Sequence, residues 1–221
     1  LTKSQTSVLC EVNDDLKSDT RMFRIIQGDV GSGKTIVSLL SIANVIDDEY
    51  QCALMAPTEI LAKQHFLLAK NIFINTKIKI EFLSGKTEVK DRKKILKDLE
   101  NGNIDFIIGT HSLFQKKINF KNLGLAVIDE QHKFGVKQRS ELAKKGGDNC
   151  DVLLMSATPI PRTMMMSLYG DMDISKISEK PANRKKIITL SKPEKKIDDL
   201  WPFIKKQLNT DNQIFWVCPL I

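Results

Sequence analysis

Phe23-Arg24-Ile25-Ile26-Gln27-Gly28-Asp29-Val30-Gly31-Ser32-Gly33-Lys34-Thr35 runs from an apolar, β-prone cluster straight into a glycine-rich turn. Residues 28–35 match the spacing G-x-x-x-x-G-K-[ST], and residues 35–46 continue with apolar side chains at helical spacing. The turn therefore lies between a strand and a helix, the context in which this pattern cradles phosphate. The chemistry explains the residue types. Glycines let the backbone N–H groups of Gly28, Asp29, Val30, Gly31, Ser32 and Gly33 wrap a β-phosphate, and the helix amino terminus favours negative charge. Lys34 reaches the β and γ phosphates, and Thr35 supplies a hydroxyl for Mg²⁺.

The alternation continues outward from this stretch. Short apolar clusters at 52–55, 78–83 and 106–108 read as strands, and helical periods span 59–73 and 89–99; residues 125–128 and 152–155 add two more strands. Parallel strands need crossover helices, so the expected fold is α/β, a mostly parallel sheet with helices on both faces. Ligands in such sheets sit at the carboxyl ends of the strands. From Lys176 to Lys196 eight Lys/Arg stand against two Glu, and Pro181-Ala182-Asn183 interrupts the run. A linker is expected at 181–185, dividing a first domain, 1–180, from the start of a second, 186–221; the basic run reads as a solvated linker or as an edge facing nucleic acid. Residues 187–190, 197–208 and 213–217 read as an opening β-α-β.

Composition narrows the class. The 221 residues are 42% hydrophobic and 28% charged, which excludes low-complexity and disordered chains. The formal charge of +7 favours a polyanionic partner without naming one. Cys10, Cys52, Cys150 and Cys218 form no C-x-x-C pair, so neither a disulfide framework nor a zinc site is expected. With no apolar run of about 18 residues and no leader pattern, the expectation is a cytoplasmic protein without membrane contact. Leu1 and the apolar run 215–221 give the chain the look of an excised fragment.

A second signature is Leu125-Ala126-Val127-Ile128-Asp129-Glu130, an apolar strand ending in two acids. Asp129 is placed to hold Mg²⁺, and Glu130 to polarise the attacking water. Together the two motifs indicate a nucleoside triphosphatase. The guanine signature [NT]-K-x-D is missing, since Thr2-Lys3-Ser4-Gln5 and Thr76-Lys77-Ile78-Lys79 both lack the acid. On these residues alone, small-molecule kinases and motor ATPases both remain open. Gln131-His132 follows the acids and Ser156-Ala157-Thr158 follows another buried strand, so polar groups able to relay the site's state flank it.

Here the sequence resembles the superfamily 2 helicases and translocases. Asp129-Glu130-Gln131-His132 fits motif II, Ser156-Ala157-Thr158 motif III, and Ala56-Pro57-Thr58-Glu59 motif Ia. Ser84-Gly85 and Gly109-Thr110-His111 resemble further nucleic-acid-contacting loops, and Gln5 resembles the glutamine that reads adenine. Residues 28–35, 56–65, 108–113, 127–139 and 157–163 together are similar to the RecG family of bacterial branched-DNA helicases. Ser156 and Pro181-Ala182-Asn183-Arg184 are small departures from its usual residues.

The resemblance implies a RecA-like, ATP- and Mg²⁺-dependent motor that remodels branched or forked DNA in repair and recombination. It assigns DNA contact to Pro57, Thr58, Ser84, Gly85, Thr110 and His111, and coupling to Gln131, His132, Ser156, Ala157 and Thr158. It also implies a wedge domain upstream, a second motor domain supplying arginines to the ATP site, a monomeric full protein and a place in the bacterial cytoplasm at the nucleoid. A nucleotide-binding domain of an RNA helicase and a non-catalytic scaffold are the alternatives.

Other residues have blander readings. His65 reads as packing or capping with DNA contact as the alternative, and Met164-Met165-Met166 as the start of a buried helix. The basic stretch 86–97 reads as a solvated helix face, and Trp201 and Phe203 as packing residues.

Overall fold

Among the described residues, six of the seven sheet strands and the three crossover helices that join them form where the apolar periods place them. The structure is a computed structural model and describes residues 1–115, 118–129, 150–158, 172–179, 187–210 and 212–217. The strands are β1 (Phe23–Gly28), β2 (Gln51–Met55), β3 (Ile80–Leu83), β4 (Phe106–Gly109), β5 (Leu123–Asp129), β6 (Asp151–Ser156) and β7 (Asp173–Ile177). The helices among them are α1 (Lys3–Leu16), α2 (Lys34–Asp47), α3 (Glu59–Ile72) and α4 (Val89–Glu100). The sheet order is β3-β4-β2-β5-β6-β1-β7, and every pair is parallel.

Successive side chains of a strand point to opposite faces, and both faces here are covered. Ile26, Leu54, Val127 and Leu153 pack with Val37, Leu39 and Ile42 of α2, Ala62 and Ala69 of α3, and Val8 and Val12 of α1. Their neighbours Ile25, Ala53, Ala126 and Leu154 pack on the other side with Ile95 and Leu99 of α4 and with Leu113. All seven residues of β5 are buried, as expected for a central strand of a parallel sheet. At the β3–β4 pair the backbones come so close that a Cβ at Gly109 would collide with the Leu83 carbonyl, and the Ser112 hydroxyl donates to that same carbonyl at 3.1 Å. The basic face of α4 is solvated as expected, with Lys90, Lys93, Lys94 and Lys97 exposed.

Two elements go beyond the sequence reading. Helix α1 starts in a capping box, Gln5 N–H donating to the Thr2 hydroxyl and Thr2 N–H to Gln5 Oε1 at 2.9 Å. Edge strand β7 hides its period because Ser175 occupies a buried position. That hydroxyl accepts from Arg24 Nη1 at 2.8 Å and donates to Glu11 Oε2 at 2.5 Å. Arg24 also donates to Asp15 at 2.6 and 3.1 Å, so one largely covered guanidinium binds α1 to the sheet edge.

The chain separates into two compact units, Leu1–Ala182 and Asn183–Ile221. The second unit contains a 3-10 turn, Glu194–Asp199, and α5 (Leu200–Leu208), on which Trp201 stacks against Trp216 at 5.7 Å. The strands expected at 187–190 and 213–217 do not form. A strand needs a neighbour for its N–H and C=O groups, and neither segment is paired among the described residues, where Ile188 and Val217 are largely exposed. Phe203, expected to pack, is 61% exposed among the described residues. The expected linker at 181–185 and Met164, Met165 and Met166 lie outside the described residues. Among the described residues no helix is long and apolar enough to cross a membrane.

Candidate nucleotide and nucleic-acid site

The carboxyl edge of the sheet divides into two adjoining halves. In one half β5, β6 and β1 lie side by side, with Asp129 level with Met155 and Ser156 level with Gln27. The strand-end acid, the Ser156-Ala157-Thr158 turn and the phosphate loop therefore stand in a row. In the other half β3, β4 and β2 end together, Leu83 level with Gly109 and Gly109 with Met55. Ser84-Gly85, Thr110-His111 and Pro57-Thr58 follow those ends directly.

The phosphate loop is shaped by its own residues. Gly33, the cap of α2, has φ +91°, a left-handed conformation that disfavours any Cβ. A Cβ there would also fall on the Gln5 amide, which donates to the Ser32 carbonyl at 2.8 Å. Gln5 thus seats the start of α1 on the loop itself. Lys34, the first residue of α2, donates through Nζ to the Gly28 and Asp29 carbonyls at 2.7 and 3.1 Å, so its ammonium lies over the loop. Among the described residues the buried Ser32 Oγ has no hydrogen-bond partner. A left-handed glycine, an unpaired hydroxyl and a lysine at a helix amino terminus fit a triphosphate.

Thr35 and Asp129 offer the hard oxygen donors that Mg²⁺ takes. Among the described residues no group of three or more His, Cys, Asp and Glu is arranged to hold a metal, and Mg²⁺ usually relies on one or two protein oxygens with substrate phosphates and water. Asp129 is buried at the end of β5, and its Oδ2 lies 2.7 Å from His65 Nε2. An ionised carboxylate only accepts, so the histidine N–H donates. His65 is thus buried, as the packing reading has it, and neither caps the helix nor faces outward. Its partner is the Mg²⁺ candidate, a pairing that no local sequence pattern reveals because 64 residues separate the two.

At the end of β6, Ser156 Oγ accepts from Thr158 N–H at 3.2 Å and lies 3.1 Å from Thr158 Oγ1, which closes the turn around Ala157. In the other half, Thr58, Gly85 and His111 are exposed and Pro57 is half-buried. Ser84 and Thr110 are 2% and 5% exposed, and their hydroxyls are engaged locally, Ser84 Oγ accepting from Lys86 N–H at 3.2 Å and Thr110 Oγ1 lying 3.4 Å from Ser112 Oγ. Gly85 has no neighbour within 4 Å of an added Cβ, and its φ lies outside the left-handed region. Nothing in this unit demands a glycine there. Glu130, Gln131 and His132 lie outside the described residues.

The DEAD/DEAH box helicase family matches residues 3–167. The chain belongs to that family. The RecG resemblance read from the motifs is borne out along the whole length of this helicase chain. It is 44% identical over 221 residues to the ATP-dependent DNA helicase RecG of Streptococcus pneumoniae and 45% to that of Bacillus subtilis, covering all of this chain and 32% of each relative. The chain thus spans about a third of the length of these curated relatives. A solved structure of RecG bound to a three-way DNA junction superposes with a TM-score of 0.85 at 40% identity, over all of this chain and 30% of that one. The DEAD-box helicase Mss116 bound to ssRNA shares the fold, with a TM-score of 0.66 at 20% identity over 96% of this chain and 48% of that one. The expected α/β, RecA-like fold stands.

Proposed function

We propose that the chain is the ATP-binding motor unit of a RecG-type DNA helicase acting on branched or forked duplexes, with residues 1–180 as the first RecA-like domain, 181–185 as linker and 186–221 as the start of a second. The observation that carries this reading is the division of one sheet edge into a phosphate-binding half and an adjoining half of exposed loops. On this reading ATP lies on Gly28 to Thr35, with Lys34 against its β and γ phosphates and Gln5 beside the adenine. Mg²⁺ would be held by Thr35 and Asp129, and it supplies charge neutralisation on the phosphates. Glu130 orients the attacking water.

Pro57, Thr58, Gly85 and His111, with the backbone of Ser84 and Thr110, form the DNA track. The open surroundings of Gly85 support the close approach of another backbone, and the amino terminus of α3 at Thr58 suits a phosphate. Gln131, His132 and Ser156-Ala157-Thr158 link the two halves. A wedge domain and a second motor domain are the intramolecular partners, in a monomer working at the bacterial nucleoid. An arginine from a second motor domain is worth about 10³ to 10⁵ in related phosphoryl transfer, so the 221 residues alone are expected to hydrolyse ATP slowly and to unwind nothing.

The test is ATP hydrolysis by the full natural polypeptide carrying this chain, with branched DNA, linear duplex or RNA, alongside Lys34→Ala and Glu130→Gln. Strong stimulation by branched DNA, abolished in both variants, is the expected result. Stimulation by RNA alone would leave the motor reading and overturn the branched-DNA substrate.

A further inference from the structure

Helix α3 packs over β3 and β4, and from it His65 reaches across to Asp129 at the end of β5. The helix starts at Thr58, an exposed cap whose hydroxyl accepts from Leu61 N–H at 3.3 Å. His65 lies seven residues further on, about 10 Å and two turns along the same helix. Between and beyond them, Ala62 and Ala69 are fully buried against the sheet. Side chains this small let the helix lie close against the sheet, so its rotation about its own axis is restricted. The strand leading into α3 is also the direct neighbour of the strand carrying Asp129, Met55 standing level with Ile128.

The terminal torsion of an aspartate is broad and soft. A donor fixed on a packed helix restricts it, and the 2.7 Å bond from His65 Nε2 to Asp129 Oδ2 is such a donor. We propose that His65 is a positioning residue that aims the Asp129 carboxylate at the metal and makes that aim depend on the seating of α3, whose first turn faces the nucleic-acid track. The role rests on the function proposed above. Engagement of a phosphate at the Thr58 end then tightens the hold on the metal at the other, and by reciprocity the metal–nucleotide complex tightens the hold on DNA.

The experiment measures Mn²⁺ binding by electron paramagnetic resonance in the full natural polypeptide, with a non-hydrolysable ATP analogue, with and without branched DNA. It compares the natural protein with His65→Ala and with His65→Gln, whose amide can restore the donor; circular dichroism verifies the fold of each. Groups that orient a metal ligand are worth about 10- to 100-fold in metal affinity. His65→Ala is expected to lose that much, His65→Gln to regain most of it, and the tightening by DNA to disappear only in His65→Ala. Metal-free binding of the analogue should not change. Natural Mn²⁺ affinity in folded His65→Ala overturns the positioning, and a DNA effect that survives in that variant overturns the coupling. Should His65→Ala not fold, His65→Gln with the affinity lost despite a natural fold overturns the donor assignment. If DNA leaves Mn²⁺ binding by the natural protein unchanged, the coupling is overturned while the Mn²⁺ comparison still decides the positioning; failure of the proposed function itself is read separately, as ATP hydrolysis that no DNA stimulates.

Discussion

Gly33→Ala isolates the fit between α1 and the phosphate loop. At φ +91° an alanine carries the left-handed penalty of about 1–2 kcal/mol. Its methyl also lands on the Gln5 amide, which must leave the Ser32 carbonyl it binds at 2.8 Å. A lost hydrogen bond of this kind costs about 1 kcal/mol. The sum is about 2–3 kcal/mol, or about 5–10 °C in the unfolding temperature of a unit this size. In a Gln5→Ala background the clash is gone and only the conformational part remains, so the same substitution should cost about 1 kcal/mol less. Thermal and urea unfolding of all four proteins complete the cycle. An equal cost in both backgrounds would refute the claim that Gln5 rests on the loop.

Three further outcomes follow from buried groups. Arg24 is 11% exposed and held by Asp15, Glu11 and Ser175; burial alone would lower its pKa, but Asp15, Asp173 and Glu11 outweigh this and raise it. Arg24→Met should cost about 2–3 kcal/mol in denaturant unfolding, because it strands carboxylates that are themselves partly solvated. Asp151 has its pKa raised by burial, against the opposing N–H of Met22 and charge of Arg21. A carboxyl with a raised folded pKa weakens the fold once pH rises above that value and costs nothing below its unfolded one, so Asp151→Asn should stabilise at neutral pH and lose that advantage on acidification. Burial pushes the Cys150 thiol up to about 12 and Cys52 well above its ordinary value, whereas Cys10 is exposed; iodoacetamide at pH 8, read by mass spectrometry, should label Cys10 and spare the other two in the folded protein.

Local chemistry made most of the sheet readable. The glycine spacing of the phosphate loop, the apolar strands at 52–55 and 125–128 and the helical periods after them each depend on neighbouring residues. What escaped reading depends on partners far away in sequence. β7 was hidden by Ser175, a polar residue tolerated in a buried position only because Arg24 and Glu11 complete its hydrogen bonds. Helix α1 was hidden because few of its residues are apolar, and the face they make is completed by α2 and β7. The partner of His65 lies 64 residues away, beyond any local pattern. At 187–190 and 213–217 the apolar pattern suggested strands, but a strand exists only when another accepts its hydrogen bonds.

Where Gly109 meets Leu83, β3 and β4 touch backbone to backbone, and the Ser112 hydroxyl fastens the same carbonyl. The loops beyond, at Ser84-Gly85 and Thr110-His111, are thereby set at a spacing fixed by neighbouring strands, about 4.8 Å. On the function proposed above, a nucleic acid lying across both would meet two contacts whose spacing the sheet holds constant. On that function the pitch of the two contacts is set by the fold, so advance along DNA would have to come from elsewhere than a change in their spacing.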